Sequence, residues 1–236
     1  MVDAVMTENG SLSISAWIYP LTFGTAVVRV IVNRGSVRFT VRTVSGIGFS
    51  ISGATALFYT GTNNTIVINT WQHVSVTWAG TTASSGVSIR VNAATISTSF
   101  AQAGSALTDN AVAPLTIGGL SSGAQVFPGY ISEVAIWNTV LTSAQIFTLS
   151  RTGRRGLPLT VQTANLISYW PLEDVANGSS GDLITFRDAW GTNPGTGADG
   201  TNNTGLTGTI GEPLCYLAHI DKSRGMGRGM MQGGQF

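Results

Sequence analysis

Gly129-Tyr-Ile-Ser-Glu-Val-Ala-Ile-Trp-Asn-Thr-Val-Leu-Thr-Ser-Ala-Gln-Ile-Phe-Thr-Leu149 reads as a strand, a turn and a single capped helical turn. Along the strand Tyr130, Val134 and Ile136 can share a face, with the alternation imperfect around Glu133. Thr142 followed three residues later by Gln145 has the form of a capping box, so a short helix is expected to start there. Gly153, just past the last apolar residue, suits its termination.

Upstream, the chain repeats the strand half of this pattern many times. Leu12, Ile14, Ala16 and Ile18 alternate with polar or aromatic residues, and Val27 to Val32 is nearly continuously apolar apart from Arg29. Val37 to Arg42 alternates with its arginines outward, and Ile47 to Ile51 and Ala56 to Tyr59 are shorter candidates. Thr65 to Ile68 leads into Trp71–Trp78, where Val74, Val76 and Trp78 line one side. Val87, Ile89 and Val91 face inward after a flexible tip at residues 79–86, and Leu115 to Gly119 is a further short strand. Brief strands separated by turns, almost without helix, predict an all-β, two-sheet antiparallel sandwich.

Composition narrows the classes. Hydrophobic residues make up 43% of 236, enough for a large core, while charged residues are only 10% against roughly a quarter in an average soluble protein. A net charge of +1 gives no reason to expect nucleic acid or an anionic membrane as partner. The lone Cys215 permits no intrachain disulfide. The first residues lack a basic stretch followed by an apolar run, so they do not read as a signal peptide.

Five blocks, Ser13–Pro20, Asn69–Gly80, Ile89–Asn92, Leu115–Gly118 and Gly129–Leu149, lie in the order used by laminin-G-like or concanavalin A-like jelly-roll domains, which residues 11–149 resemble. The resemblance implies a jelly-roll sandwich over residues 1–152, and an extended C-terminal arm follows it. Such domains commonly open with a "yWpL" segment; here Leu166-Ile-Ser-Tyr-Trp-Pro-Leu-Glu-Asp174 comes late, after the basic linker Arg151–Pro158. Three arrangements of residues 153–218 fit: folding back to complete the same sandwich, starting a truncated second repeat, or completing a neighbouring subunit. Residues 219–236 are Gly-, Met- and Arg-rich, and Arg224, Met226, Arg228, Met230, Met231 and Phe236 are candidate docking anchors for a partner.

Catalytic and metal chemistry find little support. A retaining glycosidase needs two carboxyl groups about 5 Å apart. Glu133 has only Ile131 and Ala135 as same-face neighbours, Glu173 and Asp174 would point to opposite faces, and no E-x-D-x-E array exists. Glu133 therefore reads as structural, paired with an arginine or a backbone donor. His73 and His219 have no spaced partners, and His73 suits a solvent-facing or cross-strand role. The resemblance makes calcium the one plausible cofactor, with Asp109-Asn110 or Asp182 and Asp188 as contributors, but no spacing specifies a site.

Two functions are carried forward. The first is a non-enzymatic assembly protein, most concretely a virion component (capsid decoration or tail-associated, as in phage-type structural proteins) that docks on copies of itself or other virion proteins through its C-terminal arm. The alternative is a carbohydrate-binding module of a surface or secreted protein. Of the six tryptophans, Trp17, Trp71, Trp78 and Trp137 are expected in the core, and Trp190 is the best exposed candidate for glycan contact.

Overall fold

The computed structural model describes residues 10–23, 28–51, 56–103, 113–152, 156–172 and 185–196. Two six-stranded antiparallel sheets stack face to face. In chain order the strands are β1 (Leu12–Pro20), β2 (Val28–Arg34), β3 (Val37–Arg42), β4 (Ile47–Ile51), β5 (Ala56–Gly61), β6 (Gln72–Trp78), β7 (Val87–Val91), β8 (Ala94–Thr95), β9 (Thr98–Ala103), β10 (Leu115–Ile117), β11 (Gly129–Trp137) and β12 (Leu166–Trp170). The first sheet runs β12-β11-β1-β6-β7-β8 and the second β10-β2-β3-β4-β5-β9. This is the jelly-roll sandwich that the sequence pattern predicts.

The alternation sorts each strand into two faces, because successive side chains point to opposite sides. Leu12, Ile14, Ala16 and Ile18 of β1 join Val74, Val76 and Trp78 of β6 against Val37, Phe39, Val41, Ile47, Phe49 and Ile51 of the second sheet. Every one of these is buried. At roughly 1.5–3 kcal/mol for each large apolar side chain removed from water, this layer is the main source of stability.

The first sheet is also covered on its outer side, at one end. Helix α1 (Ser143–Leu149) and the 3₁₀ turn Leu157–Thr160 pack over it, forming a second cluster of Ala135, Trp137, Leu141, Ile146, Leu149, Val161, Leu166 and Tyr169. Both halves of the capping box at Thr142 and Gln145 are present, as the sequence implies. The helix ends at Leu149 with Ser150 as its C-cap; Gly153 lies outside the described residues.

The imperfect alternation at Glu133 is a β-bulge. Ser15 pairs with Ala135 and Trp17 with Ser132, so Glu133 and Val134 together oppose one residue of β1. Glu133 takes φ 53° to accommodate the extra residue. The bulge moves Tyr130 to the outer face opposite Tyr19, while Val134 and Ile136 face the core, which corrects the single-face reading of those three.

Thr65 to Ile68 forms the loop that leads into β6. Its backbone is held by the buried Gln72 amide, whose Oε1 accepts from Val67 N–H at 2.7 Å and whose Nε2 donates to Thr65 O at 3.3 Å. Strands β8 and β9 carry too little apolar periodicity to be read from sequence. Leu166–Trp170 pairs antiparallel with β11 of the same chain and is the outermost strand of the first sheet.

Candidate functional site

At the end of the first sheet that α1 leaves open, three aromatic rings stand side by side on the outer face. Tyr19 and Tyr130 are cross-strand partners on β1 and β11, with ring centroids 5.7 Å apart. Ile18 pairs with Gln72, so Trp71, just before β6, reaches Tyr19 from the other side at 5.5 Å. All three rings are only partly buried. The backbone bonds Leu21 N–H to Pro128 O (2.9 Å) and Asn69 N–H to Pro20 O (2.7 Å) tie the surrounding loops to this end. They bring the exposed Leu21, Val67 and Ile68 to the same rim.

Gly129 permits this geometry. A Cβ there would collide with the Tyr19 carbonyl oxygen and lie 2.9 Å from Pro20 Cα. Only glycine lets β11 approach β1 closely enough to set Tyr130 beside Tyr19.

Four of the five tryptophans other than Trp71 use their indole N–H groups inside the fold. Trp78 donates to Thr81 O, Trp137 to Val161 O, Trp170 to Asn193 O and Trp190 to Leu166 O, at 2.8–3.0 Å. Among the described residues the Trp71 indole N–H has no such partner. A partly exposed ring with a donor to spare can stack on a flat apolar surface and hydrogen-bond it at the edge. Trp71, expected in the core, lies instead on the surface; Trp17, Trp78 and Trp137 are buried as expected. Alternation alone cannot reveal this, because Trp71 lies one residue beyond the strand.

Trp190 is 45% exposed, as the sequence reading expected, but its indole N–H is occupied and its loop is tied to Asp188. Asp188 Oδ1 accepts from the backbone N–H groups of Tyr169 (2.9 Å), Trp190 (3.1 Å) and Gly191 (2.9 Å), and Oδ2 from Asn193 (3.2 Å). This carboxylate thus fastens residues 188–193 along the open edge of β12 and blunts that edge against foreign strands. The arrangement does not fit calcium: the lone pairs a hard cation needs already accept N–H donors. Among the described residues no three His, Cys, Asp or Glu side chains group as metal ligands. Asp109, Asn110 and Asp182 lie outside the described residues, as do the candidate anchors Arg224, Met226, Arg228, Met230, Met231 and Phe236.

Under α1 the outer face holds a serine–histidine contact. Ser15 Oγ and His73 Nε2 are 2.8 Å apart, as diagonal neighbours across β1 and β6, and Trp17 packs edge-on at 5.6 Å. His73 is cross-strand, as expected, yet fully buried rather than solvent-facing. Burial lowers its pKa to about 3, so the imidazole is neutral. Its Nδ1 lacks a partner among the described residues, so no carboxylate orients it as a catalytic base. The crevice beside it, lined by Ser15, Trp17, Glu133, Leu149, Leu157 and Pro158, is too narrow for a water molecule. Glu133 Oε2 accepts from Gly156 N–H at 2.9 Å and anchors the turn that forms the roof of this crevice. The pair is therefore a structural cross-strand link.

Residues 2–147, more than half the chain, match the family described as the concanavalin A-like lectin/glucanases superfamily. No curated protein sequence matches. Among solved structures, a Bacteroides ovatus protein described as a candidate carbohydrate-binding protein is 20% identical with a TM-score of 0.56, over 81% of this chain and 52% of that one. The chain thus spans about half the length of that relative. Domain 4 of a Geobacillus stearothermophilus extracellular arabinanase is 18% identical (TM-score 0.45, covering 63% and 70%). The CBM40 module of the Ruminococcus gnavus IT-sialidase is 12% identical (TM-score 0.45, covering 60% and 83%). At these identities the likeness is one of fold. By the family match and the two-sheet sandwich together, the chain belongs to the concanavalin A-like lectin/glucanase superfamily.

Proposed function

We propose that the protein is a non-catalytic glycan-binding module, acting at a cell surface or outside the cell. The observation that carries this reading is the open row Trp71–Tyr19–Tyr130. Rigid aromatic rings supply a flat contact area at low entropic cost, and a sugar ring offers a matching apolar face. The fold shared with the Bacteroides ovatus protein, whose description names carbohydrate binding, supports the same reading. Non-catalysis is supported by the described carboxylates: Glu133 and Asp188 both hold backbone N–H groups. Of the two functions the sequence suggests, the glycan reading takes the place of the virion assembly role as the conclusion because the fold-sharing Bacteroides ovatus protein is described as carbohydrate-binding, whereas no comparison supports a virion role. We further propose that residues 153–218 complete the sandwich of their own chain through Leu166–Trp170, with residues 219–236 as a separate tail.

The test is a glycan array with the full chain, followed by calorimetric titration of the best ligand. Trp71→Ala is expected to weaken binding about tenfold or more, as central aromatic contacts usually do, while Trp190→Ala changes it little. Melting temperature serves as the folding control. Unchanged binding by Trp71→Ala, or no glycan bound by the wild-type chain, would overturn the reading.

A further inference from the structure

The outward face of the second sheet has a different chemistry. It carries two arginines, Arg38 and Arg42, and the six strands contain no acidic residue, while Arg29 and Arg34 stand opposite the core residues Val41 and Val37. Val37, Phe39 and Val41 of β3 enter the core, so Arg38, Thr40 and Arg42 point away from it. Both of these outward arginines are partly buried, with their stems lying on the sheet. Neither guanidinium has a hydrogen-bond or ion-pair partner among the described residues. Guanidinium groups held at a surface normally find carboxylates. None stands on these strands.

Beside them is a row of neutral hydrogen-bonding groups. Asn33 pairs with Thr116 on one side and Arg38 on the other, and Arg38 pairs with Ser50. Four neighbouring strands therefore present Thr116, Asn33, Arg38 and Ser50 in line, about 4.8 Å apart in the sheet direction. Asn33 is 7% exposed, and its Nδ2 reaches Thr116 Oγ1 only at 3.5 Å. Its Oδ1 is buried without a partner. In the next row, Thr40 stands between Val30 and Gly48, and all three are buried beside the two arginines.

We propose that this face binds an anionic saccharide, a sugar chain bearing carboxylates. Arg38 and Arg42 take the carboxylates through their planar forks, and Thr116 and Ser50 take the ring hydroxyls. The neutral row distinguishes this face from a nucleic-acid surface, which would need many cationic contacts to phosphate. The site is on the opposite side of the sandwich from the aromatic row and does not depend on it.

Titration of the full chain with trigalacturonate, followed by calorimetry, tests this, with its methyl ester as the uncharged control. The acid is expected to bind at least about tenfold more tightly than the ester, and Arg38→Gln and Arg42→Gln each to weaken it by about tenfold. Arg38→Lys, which keeps charge but loses the fork, gives an intermediate loss and covers the case in which Arg38→Gln fails to fold. Trp71→Ala leaves the acid affinity unchanged, which separates this site from the aromatic one. Equal affinity for acid and ester, or wild-type affinity in both glutamine variants, overturns the proposal. So does an equal response to single-stranded DNA or to inorganic sulfate at the same concentration, since either means simple charge attraction.

Discussion

Tyr19 and Tyr130 face each other across β1 and β11 with ring centroids 5.7 Å apart, and the pair exists because Gly129 lets the two backbones come together. A bulge three residues further along then resets the register of β11, with Ile136 opposite Ile14 in the core. One strand thus serves two purposes: its first half presents Tyr130 outward, and its second half sends Val134 and Ile136 into the core.

Replacing Gly129 with alanine places a methyl against the Tyr19 carbonyl, which must move. Overpacking of this kind costs typically 1–3 kcal/mol. Chemical denaturation is expected to show that loss, and Tyr19 and Tyr130 to lose their mutual contact in a crystal structure of the variant. Wild-type stability in Gly129→Ala would mean that the strands are not in contact there.

His73 gives the stability a defined pH dependence. Its folded pKa, about 3, is below its usual value near 6.5 because burial disfavours the charged ring. Between those values the unfolded chain binds more protons than the folded one. Stability from this group is therefore complete above about pH 6.5, falls as pH decreases, and levels off below about pH 3. The full range corresponds to roughly 5 kcal/mol. His73→Gln is expected to flatten the slope of unfolding free energy between pH 6.5 and 4, measured by urea denaturation at each pH.

Asp188 holds four backbone N–H groups of the edge loop and of β12. Asp188→Ala leaves these donors without their acceptor and is expected to cost about 3 kcal/mol. Trp190, whose backbone N–H is one of the four, should become mobile, read as a red-shifted and more easily quenched fluorescence. Gly191→Ala should act similarly, since its Cβ would lie 2.6 Å from Ile167 O.

Thr142 caps α1 through Gln145 N–H at 3.3 Å, and Gln145 Oε1 accepts from Thr142 N–H at 2.8 Å. Thr142→Ala should destabilise the chain by about 1 kcal/mol and Thr142→Ser by much less. Because α1 covers the outer cluster that includes Trp137 and Leu166, the effect should appear in global unfolding rather than as local fraying.

Much of this architecture was legible in the residues. Period-two alternation marked β1, β3, β6 and β7, since a strand with one buried face must repeat every second residue. Thr142 and Gln145 marked the helix start, because capping is a local hydrogen-bond pattern. The register break at Glu133 was visible as an irregularity. Its consequence, Tyr130 turned outward, was not, because a bulge is defined by the strand it pairs with.

The site was less legible for the same reason. Trp190 was found from its loop of small and polar residues, yet its N–H partner, Leu166 O, lies 24 positions away. Trp71, Tyr19 and Tyr130 are separated by 52 to 111 positions and meet only across three strands. The arginine face required knowing that β10, β2, β3 and β4 lie side by side, since no local pattern places Thr116 next to Asn33.

The sequence by itself determined which residues become strands, which faces are apolar and where the helix begins, because those choices depend on neighbours a few positions apart. The tertiary structure alone decided which aromatic rings and arginines share a surface. Strand order brings distant segments into hydrogen-bonded register, and only that register fixes which side chains point the same way.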